Sequence, residues 1–591
     1  MELEAFLHGG SFDAGDHFGA HRHPDGGWVF RVYAPHAKQV TLEGDFSRWH
    51  EVAPVSVHKG VYEFRYLDAR EGQCYKYCVY SKRGVREERA DPYASGSECP
   101  PRNASVLRDL TGFAWHDGDW MAGRTTNTDR PLTIYELHSA SWKKRGGRWL
   151  SWRQLAEELV PWLRRFHFTH VELMPVAEYP MDGSWGYQCT GFFCPTARHG
   201  TPGDFAAFVD TLHREGFGVI VDFVCVHFAS DRFALQLFDG AALYESRRAA
   251  NRRSDWGSRY FDHGSGVVRS FLQSAAERWL SVYHVDGLRM DAVSHLLYSN
   301  GRPEDGENTD GLLFLQGLNR GLKERHPTAM LIAEDATAYP GTTAPLDTWG
   351  GLGFDYKWDM GWTYNVTGFL QAPPSERGGM SGRLTMGIGH ARDARWMLVF
   401  SHDDASWRNL AERMPGVPDA RLRQARLFLL LMIGHPGKKL LFMGTELAMG
   451  GSWSLRNNLN WRIDDDSAYL GYTFFVEDLL RLAAENDALF AADHEPWGAA
   501  WVCCNDGGNC IYGLLRHGHA HHVLAVMNFA AVQQSHDFAL PNAASLSLLL
   551  HTDWIEYEGH TPLKSRPFRL ENGRIFFTLP RYSGMLLEVG Y

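Results

Sequence analysis

Four short segments of the chain each combine an apolar, strand-like run with a carboxylate at its end. Asp is disfavoured in β-strands, so a buried run that stops at an acid is unusual. The segments are Val219-Ile220-Val221-Asp222, Gly287-Leu288-Arg289-Met290-Asp291, Met330-Leu331-Ile332-Ala333-Glu334 and Val399-Phe400-Ser401-His402-Asp403-Asp404. Helix-like sequence separates most of them, which favours a parallel barrel with an acidic site at its C-terminal rim. Three acids converging in one pocket predict chemistry on glycosidic bonds.

Asp291 and Arg289 lie two residues apart, so their side chains share one face of a strand. The guanidinium would keep the carboxylate ionised and oriented, as a nucleophile that attacks an anomeric carbon must be. A structural Arg–Asp pair is the alternative explanation. The acids at the other strand ends favour the catalytic role.

Glu334 follows an apolar strand, and such surroundings disfavour ionisation, as a general acid requires. Its alternative role is to cap the next helix. Asp403 is placed to stabilise positive charge in a transition state. Asp222 with His227, and His402 beside Asp403, have the donors and acceptors that bind sugar hydroxyls.

Zinc or manganese is the competing explanation for clustered Asp and His residues. The segments contain no His-x-His and no helical His-x-x-x-His pattern, and no Gly-rich phosphate loop follows a strand. We therefore expect no metal and no cofactor.

Length and charge restrict the class of protein. A chain of 591 residues is too long for one core, so two to four domains are expected. A net charge of −11 argues against nucleic acid and anionic membranes as partners. No apolar run approaches the roughly 18–20 residues of a membrane span, and the first residues lack a secretory signal pattern. The scattered cysteines show no zinc spacing, so we expect reduced thiols and a cytoplasmic protein, and we expect a monomer.

The chain predicts a multidomain protein with a central (β/α)8 TIM barrel between two β-domains. Residues 1–112 show the strand alternation of a β-sandwich, residues 113–490 form the barrel domain, and residues 491–591 form a C-terminal β-sandwich. Gly112–Arg130 is predicted as a linker or crossing segment. The eight barrel strands are expected at 133–138, 169–174, 217–222, 285–291, 330–334, 351–356, 397–402 and 439–443.

These acidic segments resemble the four motifs of the α-amylase superfamily of glycoside hydrolases and transferases. Further stretches resemble its branching-enzyme family (glycogen, or 1,4-α-glucan, branching enzymes). They are Ile134–His138 with Trp142, Ser184–Gln188, Pro195–Arg198, Gly351–Phe354 with Lys357-Trp358, and Gly437–Gly444. Gly44-Asp45-Phe46 with Trp49, and Ala90–Tyr93, are similar to the starch-binding-type β-domain of that family.

The resemblance implies a retaining transferase that acts on α-glucan polysaccharides such as amylose, amylopectin and glycogen. It implies Asp291 as nucleophile, Glu334 as general acid/base and Asp403 as transition-state stabiliser. The residues implied to hold the sugar are Asp222, His227, Arg289, His402 and Tyr187, the last by stacking.

The sequence departs from the family pattern near the site. Asp404 replaces a usual Glu, Cys225-Val226 replace Pro-Gly, Cys189 replaces a Pro and Phe193 a Tyr. Because Asp404 follows Asp403, we expect it beside the acceptor site. Two alternatives to transfer stay open: a trehalose-releasing type of hydrolase from the same superfamily, and a glucan-binding protein with a decayed site.

Overall fold

The computed structural model describes residues 2–246, 252–456, 458–461, 466–506 and 508–591. Eight parallel strands close into a barrel in which each strand pairs with the next along the chain and the last pairs with the first. The barrel strands are β1 Thr133–Leu137, β2 His170–Leu173, β3 Gly218–Phe223, β4 Gly287–Met290, β5 Met330–Ala333, β6 Tyr356–Asp359, β7 Trp396–Phe400 and β8 Lys438–Phe442. The predicted TIM barrel is confirmed.

Helices follow most of the barrel strands. The long ones are Trp152–Arg165, Pro202–Arg214, Gly266–Ser281, Thr309–Arg325, Met360–Gln371, Pro418–Gly434 and Ser467–Glu485. The sequence determines where the helix Pro202–Arg214 begins and ends. At its start the Thr201 hydroxyl accepts a hydrogen bond from the Asp204 amide, and Gly216, at φ +89°, follows its end. Residues 334–355, all described, carry no helix between β5 and β6.

The sixth strand lies later than predicted, at Tyr356–Asp359 instead of 351–356. Gly353 has a φ of +70°, outside the strand region, and a Cβ at Gly351 would collide with the carbonyl oxygen of Pro345. Residues 351–354 around these glycines are therefore irregular, and the strand begins after them.

The N-terminal β-domain consists of two packed antiparallel sheets. One contains Gly19–Arg22, Trp28–Tyr33, Ser56–His58 and Val61–Tyr66, and the other contains Gln39–Gly44, Cys74–Tyr80, Arg86–Arg89 and Ser105–Val106. Phe30 of the first sheet contacts Tyr75 of the second, with ring centroids 5.1 Å apart. This packing is the predicted β-sandwich.

The C-terminal β-domain also has two sheets. The larger contains Ala499–Asp506, Ile511–His517, His522–Asn528, Ser545–His551 and Ser583–Gly590, and the smaller contains Gln534–Ala539, Phe568–Glu571 and Arg574–Leu579. Residues of both sheets, such as Leu524 and Phe577, share one buried core. The predicted β-rich C-terminal domain is confirmed.

The chain forms two compact units that cut across the predicted domains. The first comprises Met1–Arg124, Lys144–Glu158 and Leu173–Phe354, and the second comprises Thr125–Lys143, Leu159–Glu172 and Asp355–Tyr591. The first unit thus holds the N-terminal β-domain with β3, β4 and β5, and the second holds the C-terminal β-domain. The predicted bounds at 112/113 and 490/491 stay predictions. None of the described helices has the length and apolar character needed to cross a membrane.

Candidate active site

The register of β3, β4 and β5 brings three of the predicted acids together. Asp222 pairs with Arg289 across β3 and β4. Met290 pairs with Ala333 across β4 and β5, and the residues that follow this pair are Asp291 and Glu334. Because parallel strands in register end at the same level, the acids lie around one side chain, that of Arg289.

Arg289 is buried and contacts all three carboxylates. Its Nη1 donates to Asp222 Oδ2 at 2.6 Å and to Asp291 Oδ1 at 2.9 Å. Its Nη2 lies 3.5 Å from Glu334 Oε2. One guanidinium therefore orients the predicted nucleophile and lies beside the predicted acid/base, which is the pairing that the sequence indicated for Asp291.

The environment of Glu334 differs from the apolar one expected. Its Oε2 accepts a hydrogen bond from the Ala292 amide at 2.6 Å, in addition to its approach to Arg289. Ala292 has a φ of +50°, a conformation that is costly for a residue with a Cβ. This strain turns the amide that follows Asp291 towards Glu334. Glu334 Oε2 thus has two polar contacts, to a backbone amide and to a guanidinium.

Asp222 is the most enclosed of the acids. Burial raises its pKa to about 6, Arg289 opposes this shift, and the charge of Asp291 adds to it. The Tyr187 hydroxyl also donates to Asp222 Oδ2, at 2.7 Å. Asp222 Oδ1 is buried and has no hydrogen-bond partner among the described residues. A buried acceptor of this kind calls for an explanation, and a sugar hydroxyl would provide one.

Tyr187 owes its position to a tight turn. Gly186 has a φ of +97°, and a Cβ there would collide with the carbonyl oxygen of Pro175. The half-buried Tyr187 ring follows this turn and lies 5.9 Å from the Arg289 guanidinium. Its hydroxyl is thus held by Asp222, beside the Arg289 guanidinium.

His227 lies on the other side of Asp291. Its Nε2 is 3.9 Å from Asp291 Oδ2. Burial lowers the pKa of His227 to about 3, so the ring is neutral at physiological pH. Its Nδ1 is buried and, within the described part of the chain, has no hydrogen-bond partner. A neutral imidazole in this position has a hydrogen-bonding atom to offer to a ligand.

Trp256, which sequence reasoning missed, covers His227. Their ring centroids are 4.9 Å apart, and the Trp256 carbonyl accepts from Gln188 Nε2 at 3.0 Å. Trp256 is 47% exposed, a large fraction for a tryptophan beside buried acids. It lies in a loop without hydrophobic periodicity, so no local pattern signalled it.

The replacements at Cys189 and Cys225 leave the acids untouched. Burial raises the pKa of both thiols, so they stay neutral next to Asp222 and Asp291. Cys189 Sγ donates to the Gly186 carbonyl at 3.3 Å. These two departures from the family pattern thus act as small buried side chains.

The remaining predicted residues belong to the second unit. His402 opens a short helix, His402–Trp407, directly after β7. Its amide and its Nδ1 contact the two carboxylate oxygens of Glu136 in β1, at 2.8 and 2.5 Å. Its Nε2 lies 3.6 Å from Asp403 Oδ1, and the Asp403 side chain is 64% exposed. Glu136 was not among the predicted site residues, although a fully buried acid in a strand is the same signal that identified the others.

Asp404 does not have the position that its place after Asp403 suggested. Its Oδ2 accepts from the Ser401 amide at 3.1 Å and completes a capping box at the helix start. Its Oδ1 lies 3.2 Å from Arg413 Nη2. The carboxylate is turned into the protein, because capping and ion pairing satisfy both of its oxygens. We therefore correct the expectation that it lines an acceptor site.

One grouping among the described residues has metal-ligand spacing, and it lies in the N-terminal β-domain. Glu43, Glu51 and Cys78 lie close together there. The Arg86 side chain contacts all three, at 3.0, 2.8 and 2.9 Å. The Arg86 guanidinium thus occupies the place of a cation and neutralises the charge of the two carboxylates.

Comparisons with known proteins agree with this architecture. Residues 17–94 match the family described as Carbohydrate-binding module 48 (Isoamylase N-terminal domain). Among solved structures, a pullulanase from Paenibacillus barengoltzii in complex with maltohexaose and alpha-cyclodextrin has a TM-score of 0.76 at 17% identity, covering 99% of each chain. A putative alpha amylase from Salmonella typhimurium has a TM-score of 0.74 at 18% identity, covering 97% of this chain and 100% of its own. At such identities the likeness establishes the fold alone.

Sequence relatives are closer. The "1,4-alpha-glucan branching enzyme GlgB" of Bacillus caldolyticus is 36% identical, covering 100% of this chain and 91% of the relative. The "1,4-alpha-glucan branching enzyme GlgB 2" of Xanthomonas euvesicatoria pv. vesicatoria (strain 85-10) is 40% identical, covering 90% and 74%. With this identity over nearly whole chains, the protein belongs to the 1,4-alpha-glucan branching enzyme family.

Proposed function

We propose that this chain is a retaining α-glucan transferase that cleaves α-1,4 linkages and re-forms them as α-1,6 branches. The observation that carries the proposal is the set of contacts around Arg289, which bonds Asp291 at 2.9 Å and lies 3.5 Å from Glu334. A retaining double displacement needs an oriented carboxylate as nucleophile and a second carboxyl beside it as acid/base. A separation of about 5–5.5 Å between these carboxyls is the matching expectation.

The first step makes a glycosyl-enzyme. An Asp291 oxygen bonds to the anomeric carbon as the bond from that carbon to the leaving glucan chain breaks, and Glu334 gives its proton to the departing oxygen. Arg289 holds Asp291 in the required orientation throughout.

The second step transfers the chain. The 6-hydroxyl oxygen of an acceptor glucan attacks the same carbon, Glu334 takes the hydroxyl proton, and the bond to Asp291 breaks. Transfer beats hydrolysis when the acceptor is positioned well enough to supply a large effective molarity.

The neighbouring groups suit a sugar at the cleaved bond. Asp222 Oδ1 and His227 Nδ1, both buried and without a partner among the described residues, are suited to hydroxyl groups. We assign Tyr187 to stacking under the sugar ring and His402 to a further hydroxyl. Asp403, exposed at the end of β7, is assigned to the positive charge of the transition state.

The N-terminal β-domain is proposed as a second glucan contact. Trp49 is 42% exposed, and its Nε1 donates to Asp45 Oδ1 at 3.0 Å, which fixes the ring at the surface. A second contact raises the concentration of a long polymer at the barrel. Replacing Trp49 by Ala should lower activity on amylose more than on short maltooligosaccharides.

A cytoplasmic location and a monomeric state complete the proposal. The N-terminal β-domain and the first half of the barrel contain free thiols, which suits a reducing compartment: Cys74, Cys78, Cys99, Cys189, Cys194 and Cys225. Fractionation of the native host and sedimentation of the purified protein test these two points.

The decisive experiment is analysis of amylose products by chain length, before and after enzymatic debranching, with proton NMR of the α-1,6 signal. Branching predicts new short chains that are seen only after debranching. Release of reducing ends or trehalose without α-1,6 bonds would assign the chain to the hydrolases, and no reaction at all would indicate a glucan-binding protein.

A further inference from the structure

Glu136 is a buried acid that the proposed double displacement does not use. It lies in β1 with 1% of its surface exposed. Its backbone is held along β8, because Glu136 pairs with Phe442 of that strand and its carbonyl accepts from the Met443 amide at 2.9 Å. The side chain thus projects from a rigid part of the fold.

Both carboxylate oxygens of Glu136 bind a single residue. Oε2 accepts from the His402 amide at 2.8 Å, and Oε1 contacts His402 Nδ1 at 2.5 Å. An ionised carboxylate only accepts hydrogen bonds, so this contact places a proton on Nδ1. The two bonds fix the ring in position and set its tautomer, which leaves Nε2 on the side of Asp403.

A structural role alone explains this arrangement poorly. Burying a carboxylate is costly, and an apolar pair of similar volume would hold a helix start against a strand at no such cost. The neighbouring acid Glu446 shows the difference: it is also fully buried, but its oxygens are bonded to Tyr135, Trp162 and the Gly444 amide, none of which belongs to the proposed site.

We propose that Glu136 is a positioning residue that acts through His402, by holding the imidazole with Nδ1 protonated and Nε2 presented to a sugar hydroxyl. The inference rests on the proposed function, in which His402 binds the sugar at the cleaved bond. A Gln at this position has one acceptor oxygen and one NH₂ group, so it can accept from only one of the two His402 donors. With its oxygen on the His402 amide, its NH₂ group faces Nδ1 and favours the opposite tautomer, with the proton on Nε2.

The test is a double-mutant cycle of Glu136→Gln and His402→Ala, with Glu446→Gln as the matched control for a buried acid changed to its amide. All variants are assayed on amylose at a temperature where circular dichroism shows them folded. We expect Glu136→Gln to lower kcat about 10- to 100-fold with little change in KM, taking as a guide the range found when a metal-bound histidine loses the partner that orients it. In the His402→Ala background the same change should cost less than about threefold, because the residue through which it acts is gone. Glu446→Gln should keep kcat and KM close to wild type.

An equal loss from Glu136→Gln in both backgrounds, or a loss confined to KM, would overturn the proposal. A wild type that releases reducing ends but makes no α-1,6 bonds would refute transfer alone, since the cycle is then read from reducing-end release. A wild type without any action on amylose would overturn both.

Discussion

Two buried clusters, each with a cation between carboxylates, lie at opposite ends of β3 and β4. At the C-terminal ends, Arg289 lies between Asp222 and Asp291. At the N-terminal ends, His213 lies between Asp117 and Asp286. Both contain acids and a base in a low-dielectric setting, so composition and charge do not distinguish them.

The hydrogen bonding of Asp286 and of Asp222 distinguishes the two clusters. Asp286 Oδ2 accepts from His213 Nε2 at 2.9 Å and from the Val219 amide at 2.7 Å, and Oδ1 accepts from Trp120 Nε1 at 2.8 Å. Asp117 Oδ2 is contacted by ring nitrogens of both His213 and His284, each at 2.9 Å.

The cluster around Arg289 is different, because within the described residues it leaves Asp222 Oδ1 without a partner and keeps Asp291 and Glu334 partly accessible. The cluster of Asp117, His213 and Asp286, which we call the sealed cluster, stabilises the barrel. The cluster of Asp222, Arg289, Asp291 and Glu334, which we call the open cluster, has atoms to offer a substrate. This assignment agrees with the general division of labour between the two faces of a TIM barrel.

The largest effect should come from the open cluster. We expect Asp291→Asn to lower branching activity at least about 10³-fold, because the amide is not a nucleophile, while the volume and the fold are kept. The assay is α-1,6 bond formation on amylose, with thermal unfolding as the control. Residual activity above a few per cent would remove Asp291 from the role of nucleophile.

Glu334→Gln should slow cleavage of glucans much more than formation of the glycosyl-enzyme from a donor with a good leaving group. On glucans we expect a loss of at least about 10²-fold, because the leaving oxygen needs a proton. An α-glucosyl fluoride donor has a leaving group that needs little acid help, so formation of the glycosyl-enzyme should persist. Mass spectrometry of the trapped adduct measures it, and equal losses on both donors would show that Glu334 is not the acid.

A substitution in the sealed cluster should lower stability and leave catalysis unchanged. Asp286→Asn removes the charge that faces His213, and breaking a buried pair costs about 3–5 kcal/mol of unfolding free energy. We expect denaturant unfolding to show that loss while kcat per folded molecule stays near wild type. A variant with normal stability and low kcat would contradict the division between the two clusters.

The local sequence pattern predicted the acids of the open cluster but not the residues of the sealed cluster, because only the former come at the end of apolar strands. An acid at the end of an apolar strand is visible in a short window, as at Asp222, Asp291 and Glu334. Asp117 lies in the segment that was predicted as a linker, and His213 lies on a helix. His213 meets Asp117 across 96 residues and Asp286 across 73 residues, so no short window of sequence contains the three groups together.

The same limit explains the errors within the site. The partner of His402, Glu136, is 266 residues away, so the contact between them was not visible in sequence, although an acid in an apolar strand was. The polar surroundings of Glu334 depend on the positive φ of Ala292, which no residue type at that position indicates. Strand positions were predictable to within a few residues except at β6, where two glycines interrupt the apolar run.

The pH dependence of stability should report on the sealed cluster. Burial alone would lower the pKa of His213, but the charge of Asp286 and hydrogen bonds to Asp117 and Asp286 raise it to about 9. Because this exceeds the unfolded value of about 6.5, the stabilisation is fully present below about pH 6.5 and is lost as pH rises through 9.

We expect the difference in unfolding free energy between wild type and His213→Gln to shrink by about 2 kcal/mol from pH 7 to pH 10. Comparing the difference, and not wild type alone, removes the titration of lysines and tyrosines elsewhere. A difference that stays constant over this range would show that His213 is neutral between its two acids.

The smallest effect concerns the rim of the open cluster, where Trp256 lies over His227. A half-exposed indole beside atoms proposed to bind hydroxyls is suited to stack on a sugar face, and aromatic contacts are worth about 0.5–1.5 kcal/mol. We expect Trp256→Ala to lower kcat/KM on amylose by about 2- to 13-fold, mainly through KM, and Trp256→Phe to recover most of the loss. Trp497 is the matched control, since it is 46% exposed and also contacts a histidine, His519, but it belongs to the other unit. Trp497→Ala should leave KM unchanged. If both tryptophans had equal effects, the loss would reflect general surface binding, and the contrast between an open and a sealed end of β3 and β4 would rest on the acids alone.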